Sequence, residues 1–144
     1  MEDSKLVELA FEAREMAYTP YSHHKVGAAL LTAEGKVYKG CNIESASYTP
    51  TNCAERTAFF KAVSEGEHNF TAIAIVGGFD DMECTGFCAP CGVCRQVMME
   101  FCDPKTFRIL LGNGKGEIQE YTLEEMLPLG FGPGNMEIEK RFAK

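Results

Sequence analysis

The amino-acid sequence predicts a layered α/β domain, with a mixed five-stranded sheet and helices on both of its faces. Three observations lead to this prediction: helix-like and strand-like segments alternate after an opening hairpin, two strand-like runs are continuously apolar, and no linker or repeat interrupts the chain. Such alternation is typical of sheets covered by helices, and continuously apolar strands are buried on both faces. With 144 residues, 45% of them hydrophobic, the chain is long enough for one domain over residues 1–144.

Periodicity and turn residues define the elements. Apolar residues at helical spacing predict an N-terminal helix that Ser4 can cap and that Pro20 ends. Gly35 can adopt a positive φ at the turn of the hairpin, and Thr122 with Glu125 forms a capping-box pattern before a short helix. The predicted helices cover residues 4–18, 53–65, 91–101 and 122–126; the predicted strands cover 26–32, 36–41, 71–76, 107–111 and 117–121; the stretches 41–52, 77–90 and 128–144 are expected to be irregular.

Charge and composition argue against several classes of protein. The formal net charge is -7, and lysine and arginine form no clusters, whereas proteins that bind long nucleic acids carry basic patches. No stretch approaches the roughly 20 apolar residues that span a bilayer, and the chain begins with acidic residues rather than an apolar signal region. We therefore expect a cytoplasmic protein with no nucleic-acid or membrane partner.

The seven cysteines suggest metal binding or catalysis, because disulfides are rare in the cytosol. Cys53 and Cys91 each begin a predicted helix, where unpaired N–H groups favour the thiolate that binds metals. Cys94 lies one helical turn after Cys91 and faces the same way. Three sulfur ligands leave the fourth position of a zinc ion to water, and Glu55 is close enough to Cys53 to take the water's proton without being a ligand.

Three thiolates carry more negative charge than a zinc ion neutralises, which would make a bound water a weaker acid. A neighbouring cation could offset this excess. Arg56 follows Glu55 in the sequence and can donate hydrogen bonds to thiolate sulfur. We therefore expect Arg56 to lie beside the metal ligands.

Other interpretations of the cysteines remain open at this point. They could be buried structural residues, since free cysteine is often buried, or Cys84, Cys88, Cys91 and Cys94 could form a structural zinc site. An iron–sulfur cluster would need a fourth cysteine near position 98, which is Met98. The remaining cysteines are expected not to bind the metal: Cys41, Cys84, Cys88 and Cys102.

The motif C-A-E followed by P-C-x-x-C resembles the signature of the zinc-dependent nucleoside and nucleotide deaminases, in its three-cysteine form. Together with the short chain, it is similar to the small homotetrameric cytidine deaminases. The similarity extends over nearly the whole length, because further segments follow in the order that the family has. These segments are residues 18–31, 35–47, 53–66, 90–97 and 127–133.

The resemblance implies a fold, an assembly, a cofactor and a reaction. The fold would be a three-layer α/β/α sandwich, the assembly a homotetramer with shared active sites, and the cofactor one zinc ion per chain. The reaction would be the hydrolytic deamination of cytidine and 2'-deoxycytidine to uridine and 2'-deoxyuridine plus ammonia, as in pyrimidine salvage.

The resemblance also implies roles for individual residues on the substrate side. Asn42 and Glu44 would hold the ribose hydroxyls. The backbone of Ala54 and the side chain of Glu55 would bind the amide edge of the cytosine, with Glu55 also carrying the protons.

Three aromatic positions complete the implied site. Tyr48 and Phe131 match positions that reach the site of a neighbouring subunit. His24 stands where family members usually have a phenylalanine that packs on the base. The imidazole of His24 would either stack on the substrate or lie at the mouth of the site.

Three other functions remain open. The same zinc chemistry could act on another small amine, such as a nucleoside antibiotic or a free base, although Asn42 and Glu44 favour a substrate with a sugar. A non-enzymatic zinc module that binds proteins would have no use for Glu55 at the metal. A deaminase that edits nucleic acids would need a basic channel, and this acidic chain has no basic cluster.

Overall fold

The computed structural model describes residues 1–136 and contains one five-stranded mixed sheet with strand order β2-β1-β3-β4-β5. β3 and β4 are parallel, and the other neighbouring pairs are antiparallel. The mixed five-stranded sheet predicted from the sequence is therefore confirmed. The elements are α1 (Asp3–Arg14), β1 (His24–Thr32), β2 (Val37–Cys41), α2 (Ala54–Ser64), β3 (Phe70–Phe79), α3 (Gly92–Phe101), β4 (Arg108–Gly112), β5 (Ile118–Thr122), α4 (Leu123–Met126) and α5 (Pro133–Met136).

Helices cover both faces of the sheet, as predicted. On one face α1 packs through Leu6, Val7 and Ala10, which share a core cluster with apolar side chains of β1, β3 and β4. On the other face α2 and α3 contribute Phe59 and Met98 to a larger cluster. Within residues 1–136, no helix is both long and apolar enough to cross a membrane.

The C-terminal ends of β2 and β3 and the N-terminal end of β1 lie at the same edge of the sheet. β2 and β3 are both antiparallel to β1, so they run in the same direction, and Cys41 and Val76 lie on either side of Gly27. The chain leaves β2 and β3 at this edge and continues through loops to α2 and α3. The first turns of both helices can therefore meet beside the N-terminal end of β1.

Several predicted boundaries are wrong. α1 ends at Arg14, four residues before the predicted end, and its N-cap is Glu2 without a side-chain hydrogen bond, so Ser4 is not the cap. The stretch 77–90 is not irregular throughout, because β3 continues to Phe79 in register with His24. Part of the C-terminal stretch forms α5, whereas residues 137–144 lie outside the described residues. The predicted capping box of Thr122 and Glu125 is confirmed.

Two isolated β-bridges outside the main sheet connect the loops around this edge. The backbone of Ile43 pairs with Tyr18 on one side and with Asn52 on the other. Hydrogen bonds of 2.9 Å join Ile43 and Asn52 in both directions. The loop after β2 is thereby fixed to the residue that precedes Cys53.

α2 lies directly on β2 at Gly40, where a side chain has no room. A Cβ atom on Gly40 would collide with the carbonyl oxygen of Ala54 and lie 2.5 Å from the amide nitrogen of Ala58. The close approach fixes the height of α2 above the sheet, and with it the position of the residues at the start of α2.

We expect Gly40→Ala to lower the free energy of unfolding by about 2 kcal/mol, because overpacking forces the backbone of α2 away from the sheet. Urea denaturation followed by circular dichroism measures the loss. Gly86→Ala is the matched control, since a Cβ at Gly86 meets no atom within 4 Å. Equal stability of the two variants would contradict the prediction.

Candidate metal centre and substrate site

Three thiols meet where the two helices begin. Cys53 and Cys91 are the N-caps of α2 and α3, and Cys94 lies in the first turn of α3. Their sulfur atoms all lie within 4.8 Å of one another, and those of Cys53 and Cys91 are 3.6 Å apart. Within residues 1–136 this is the one group of at least three candidate ligands that close together.

The alternative four-cysteine site is not formed. Cys84 and Cys88 lie outside the group that contains Cys91 and Cys94, and within residues 1–136 they form no second group of three ligands. All seven cysteines are free thiols. Three sulfur atoms, rather than four, are therefore available to one metal ion, which is the ligand number of catalytic zinc sites.

The environment of Cys53 favours its thiolate form even without a metal. A hydrogen bond from Cys94, followed in importance by one from Arg56, lowers the pKa of Cys53 to about 5 although burial acts in the opposite direction. Donation to Cys53 raises the pKa of Cys94. The Nη2 atom of Arg56 lies 3.3 Å from the sulfur of Cys53, so the predicted position of Arg56 beside the ligands is found.

Glu55 is a buried carboxyl group beside these sulfur atoms. Its exposed fraction is 4%, and its Oε1 atom has no hydrogen-bond partner among the described residues. Burial, together with the negative charge of Cys53, raises the pKa of Glu55 to about 7. Because buried polar atoms are nearly always paired, a metal ion on the thiols with a water at its open position would supply the missing partner.

The side chains of Asn42 and Glu44 both face the start of β1. The Oδ1 atom of Asn42 accepts a hydrogen bond from the amide of Val26, and its Nδ2 atom donates to the carbonyl of His24, at 2.9 and 2.8 Å. Glu44 accepts from the amides of Tyr21 and Ser22 and is paired with the hydroxyl of Ser22. Burial, the largest single cause, raises the pKa of Glu44, but the hydrogen bonds from Ser22 and Tyr21 together outweigh it and keep that pKa below its usual value.

Glu44 also lines an open pocket of about 410 Å³ that contains Tyr48. Tyr48 is 75% exposed and adopts a positive φ of 50°. Its ring meets that of Tyr21 edge-on at 6.5 Å. The structure thus brings Asn42, Glu44 and Tyr48 to one loop, with Tyr48 directed largely towards solvent.

His24 is the first residue of β1 and packs edge-on against Phe79, with 5.1 Å between ring centroids. Both side chains line a pocket of about 270 Å³ that Cys88 also borders. Burial, followed by the negative charges of Glu55 and Cys53, raises the pKa of Cys88 to about 11, so Cys88 remains a neutral thiol near the metal centre.

Phe79 and Cys88, which line this pocket together with His24, were not identified from the sequence. One signal was present in the Gly77-Gly78 pair. A Cβ on Gly77 would lie 2.9 Å from the sulfur of Cys88, and one on Gly78 would lie 3.0 Å from that of Cys84. The two glycines let the loop after β3 pack closely against the sheet.

Phe131 lies apart from these groups. Its side chain is 58% exposed, and its carbonyl oxygen accepts a hydrogen bond from Gln96. It lines neither the pocket of Tyr48 nor that of His24. Within one chain, the structure therefore does not bring Phe131 together with the other predicted site residues.

Comparisons with known proteins agree with this geometry. Residues 1–110 match the family described as the cytidine and deoxycytidylate deaminase zinc-binding region. A cytidine deaminase of Sporosarcina psychrophila is 51% identical over 131 residues, covering 91% of this chain and 92% of that protein. The crystal structure of a cytidine deaminase from Burkholderia pseudomallei has a TM-score of 0.82 and 48% identity, covering 91% of this chain and 100% of the other. A blasticidin-S deaminase of Bacillus cereus is 35% identical, covering 90% and 92% of the two chains.

We expect Glu55→Gln to stabilise the metal-free chain at pH 8 and to change little at pH 4.5. Because the pKa of Glu55 is raised from about 4.3 in an unfolded chain to about 7, its contribution to stability is full below pH 4.3 and is lost as the pH rises through 7. The gain at pH 8 is on the order of 3 kcal/mol.

Urea denaturation of chelator-treated protein at both pH values measures this difference. Glu34→Gln, at an exposed turn position, is the control and should have little effect at either pH. A gain from Glu55→Gln that is the same at pH 4.5 and pH 8 would show that the carboxyl group is not titrating between them.

Proposed function

The chain belongs to the cytidine and deoxycytidylate deaminase zinc-binding family, and on this premise we propose that it deaminates cytidine and 2'-deoxycytidine. The products are uridine or 2'-deoxyuridine and ammonia, as required in pyrimidine salvage. The observation that supports this most directly is the buried carboxyl group of Glu55, whose Oε1 atom has no hydrogen-bond partner among the described residues, beside three clustered thiols. A purely structural metal site has no use for such a carboxyl group.

Cys53, Cys91 and Cys94 would hold the zinc ion. When bound, zinc supplies a water of lowered pKa at its fourth coordination position. Burial raises the pKa of Glu55 to about 7 before any metal binds, and the buried carboxyl group beside the thiols is placed both to accept and to donate protons. It accepts a proton from the attacking water and passes it to N3 of the pyrimidine.

The second proton transfer by Glu55 completes the reaction. The water oxygen forms a bond to C4, and the bond between C4 and the exocyclic nitrogen breaks. Glu55 takes the proton of the new C4 hydroxyl group and delivers it to the departing amine, which leaves as ammonia while the C4 oxygen becomes the carbonyl of the product. Because the carboxyl group is buried, bulk water does not compete for these protons.

Arg56 adjusts the charge at the centre. Three thiolates exceed the charge of one zinc ion, and the guanidinium of Arg56 hydrogen-bonds to the sulfur of Cys53 at 3.3 Å. This contact withdraws negative charge from one ligand, which restores the acidity of the water.

Asn42, Glu44 and Ala54 would orient the nucleoside. The low pKa of Glu44 supports it as an ionised acceptor for sugar hydroxyls. Asn42 is held in place by its two bonds to β1 and retains further donor and acceptor capacity for the sugar. Ala54 is the first residue of α2, and the amide groups at a helix start have no partner within the helix, which suits contact with the base.

The proposed assembly is a homotetramer, and the proposed compartment is the cytoplasm. The large exposed fractions of Tyr48 and Phe131 support their contact with the site of a neighbouring chain, and His24 would contribute to the wall that faces the base. Seven free thiols support a reducing compartment.

The first test is Glu55→Gln, which we expect to retain one zinc ion per chain and to lose turnover of cytidine by at least about 10²-fold. The glutamine amide keeps the shape of the side chain but cannot carry protons. Metal content is measured by atomic absorption and activity by the loss of cytidine absorbance. Full activity in this variant would refute the proposed role of Glu55.

The wild-type assay separates the remaining substrates. Cytidine, 2'-deoxycytidine, cytosine and blasticidin S are compared at equal concentration, with and without a strong chelator. Turnover of either nucleoside that the chelator abolishes supports the proposal. Turnover of blasticidin S alone would favour the nucleoside antibiotic, for which the similarity to the Bacillus cereus protein provides a specific reason.

A second test concerns the charge at the metal. We expect Arg56→Gln to move the rising limb of the kcat/KM profile to higher pH by about 1 unit, because loss of a nearby positive charge raises the pKa of the attacking water. Arg56→Lys retains the charge and should move the limb less. An unchanged limb in Arg56→Gln would contradict the role assigned to Arg56.

A further inference from the structure

Arg95, the residue after the ligand Cys94, makes two side-chain hydrogen bonds to the backbone of separate segments. Its Nε atom donates to the carbonyl of Pro90 at 2.8 Å, and its Nη1 atom donates to the carbonyl of Met126 at 2.6 Å. Its amide donates to the carbonyl of Cys91 at 3.0 Å. The Arg95 side chain therefore binds the carbonyl of the residue before Cys91 and connects the ligand turn to the end of α4, whereas its amide makes an ordinary helical bond to Cys91.

The next residue makes a third connection. The Nε2 atom of Gln96 donates to the carbonyl of Phe131 at 2.7 Å. We call the segment 126–131 the C-terminal loop. The side chain of Arg95 binds its first residue, Met126, and the side chain of Gln96 binds its last residue, Phe131.

The C-terminal loop has a conformation that requires such support. Leu129 adopts a φ of 56° and is fully exposed, and a branched residue in the left-handed region costs roughly 1–2 kcal/mol. Such strain persists only where the surroundings determine the backbone. Gly130 in the loop and Gly132 just after it pack against Met99 of α3, where added Cβ atoms would lie 3.0 Å from its side chain.

We infer that Arg95 and Gln96 are positioning residues that couple the metal-ligand turn to the C-terminal loop, so that the zinc centre and the placement of Phe131 depend on one another. The inference deepens the proposed function, on which it rests for the use of Phe131 at a substrate site. The Arg95 side chain acts on the ligand turn through the carbonyl of Pro90, the residue before Cys91, and Gln96 acts on Phe131 through its carbonyl. Neither residue needs to touch the substrate.

Zinc release tests the role of Arg95. In Arg95→Lys a single ammonium group replaces the fork and cannot bond the carbonyls of both Pro90 and Met126 in the same geometry, so we expect zinc to pass to a chromogenic chelator about tenfold faster than in the wild type. The cobalt-substituted variant should also show altered sulfur-to-metal charge-transfer bands. Neither readout requires substrate, so the result stands even if cytidine deamination is absent.

Arg108→Lys is the matched control for this experiment. Arg108 on β4, away from the metal ligands, also joins two separate segments through its guanidinium, although its partners are the carboxylates of Asp3 and Glu120. We expect its zinc release and cobalt spectrum to equal those of the wild type. An unchanged release rate in Arg95→Lys, or equal acceleration in both variants, would overturn the role of Arg95.

Kinetics test the role of Gln96. We expect Gln96→Ala to raise KM for cytidine by about tenfold through misplacement of Phe131, with kcat and zinc release close to those of the wild type. Gln96→Glu should raise KM to a similar extent, because a carboxylate cannot donate a hydrogen bond to the carbonyl of Phe131. An unchanged KM, or a loss confined to kcat, would overturn the role of Gln96.

A measurement on the wild-type chain keeps the coupling testable if a variant does not fold. Hydrogen–deuterium exchange is compared between the zinc-loaded and the chelator-treated protein. We expect zinc removal to accelerate exchange in the C-terminal loop by severalfold while leaving the β4–β5 hairpin unchanged. Equal exchange of the loop in the two forms, or equal acceleration in both regions, would overturn the coupling.

Discussion

The point on which the rest of the site depends is the convergence of two helix starts on one position. The N-caps of α2 and α3, Cys53 and Cys91, bring three sulfur atoms within 4.8 Å of one another. Crowding these groups around the carboxyl group of Glu55 is unfavourable if all are ionised. The metal-free chain avoids this by keeping protons, because the pKa values of Cys94 and Glu55 are raised. A divalent cation replaces such protons, so metal binding and proton release are coupled.

The sheet makes this convergence possible. β2 and β3 run in the same direction on either side of β1, so both deliver the chain to the same edge before α2 and α3 begin. The close contact at Gly40 sets the distance of α2 from the sheet, and the pairing of Ile43 with Asn52 fixes the loop that leads into it. Backbone contacts therefore position Cys53 before any metal ligation does.

Much of this arrangement could be predicted because it is local in the sequence. Cys91 and Cys94 lie one helical turn apart, and Glu55 and Arg56 lie two and three residues after Cys53. The alternation of helix-like and strand-like segments was sufficient to predict the mixed sheet. What could not be predicted depends on long-range packing. β3 extends to Phe79 because β1 pairs with it as far as His24, and no local pattern shows that pairing. α1 ends at Arg14, whose side chain binds the carbonyls of Lys25 and Gly78, although apolar residues continue at helical spacing.

The loop after β2, which contains Asn42 and Glu44, shows how polar groups that bond within the fold could also bind a ligand. Asn42 and Glu44 already bond to the backbone of β1 and of the turn before it, so their orientations are set before any sugar arrives. Each oxygen of a carboxylate can accept more than one hydrogen bond, and the Glu44 carboxylate is kept ionised by its present donors. A ligand that binds to such prearranged groups does not have to order them, which lowers the entropic cost of binding. Because these bonds also hold the N-terminal end of β1 and the turn before it, a substitution of Asn42 or Glu44 would loosen that end of the strand as well as remove any contact that the side chain would make with a ligand.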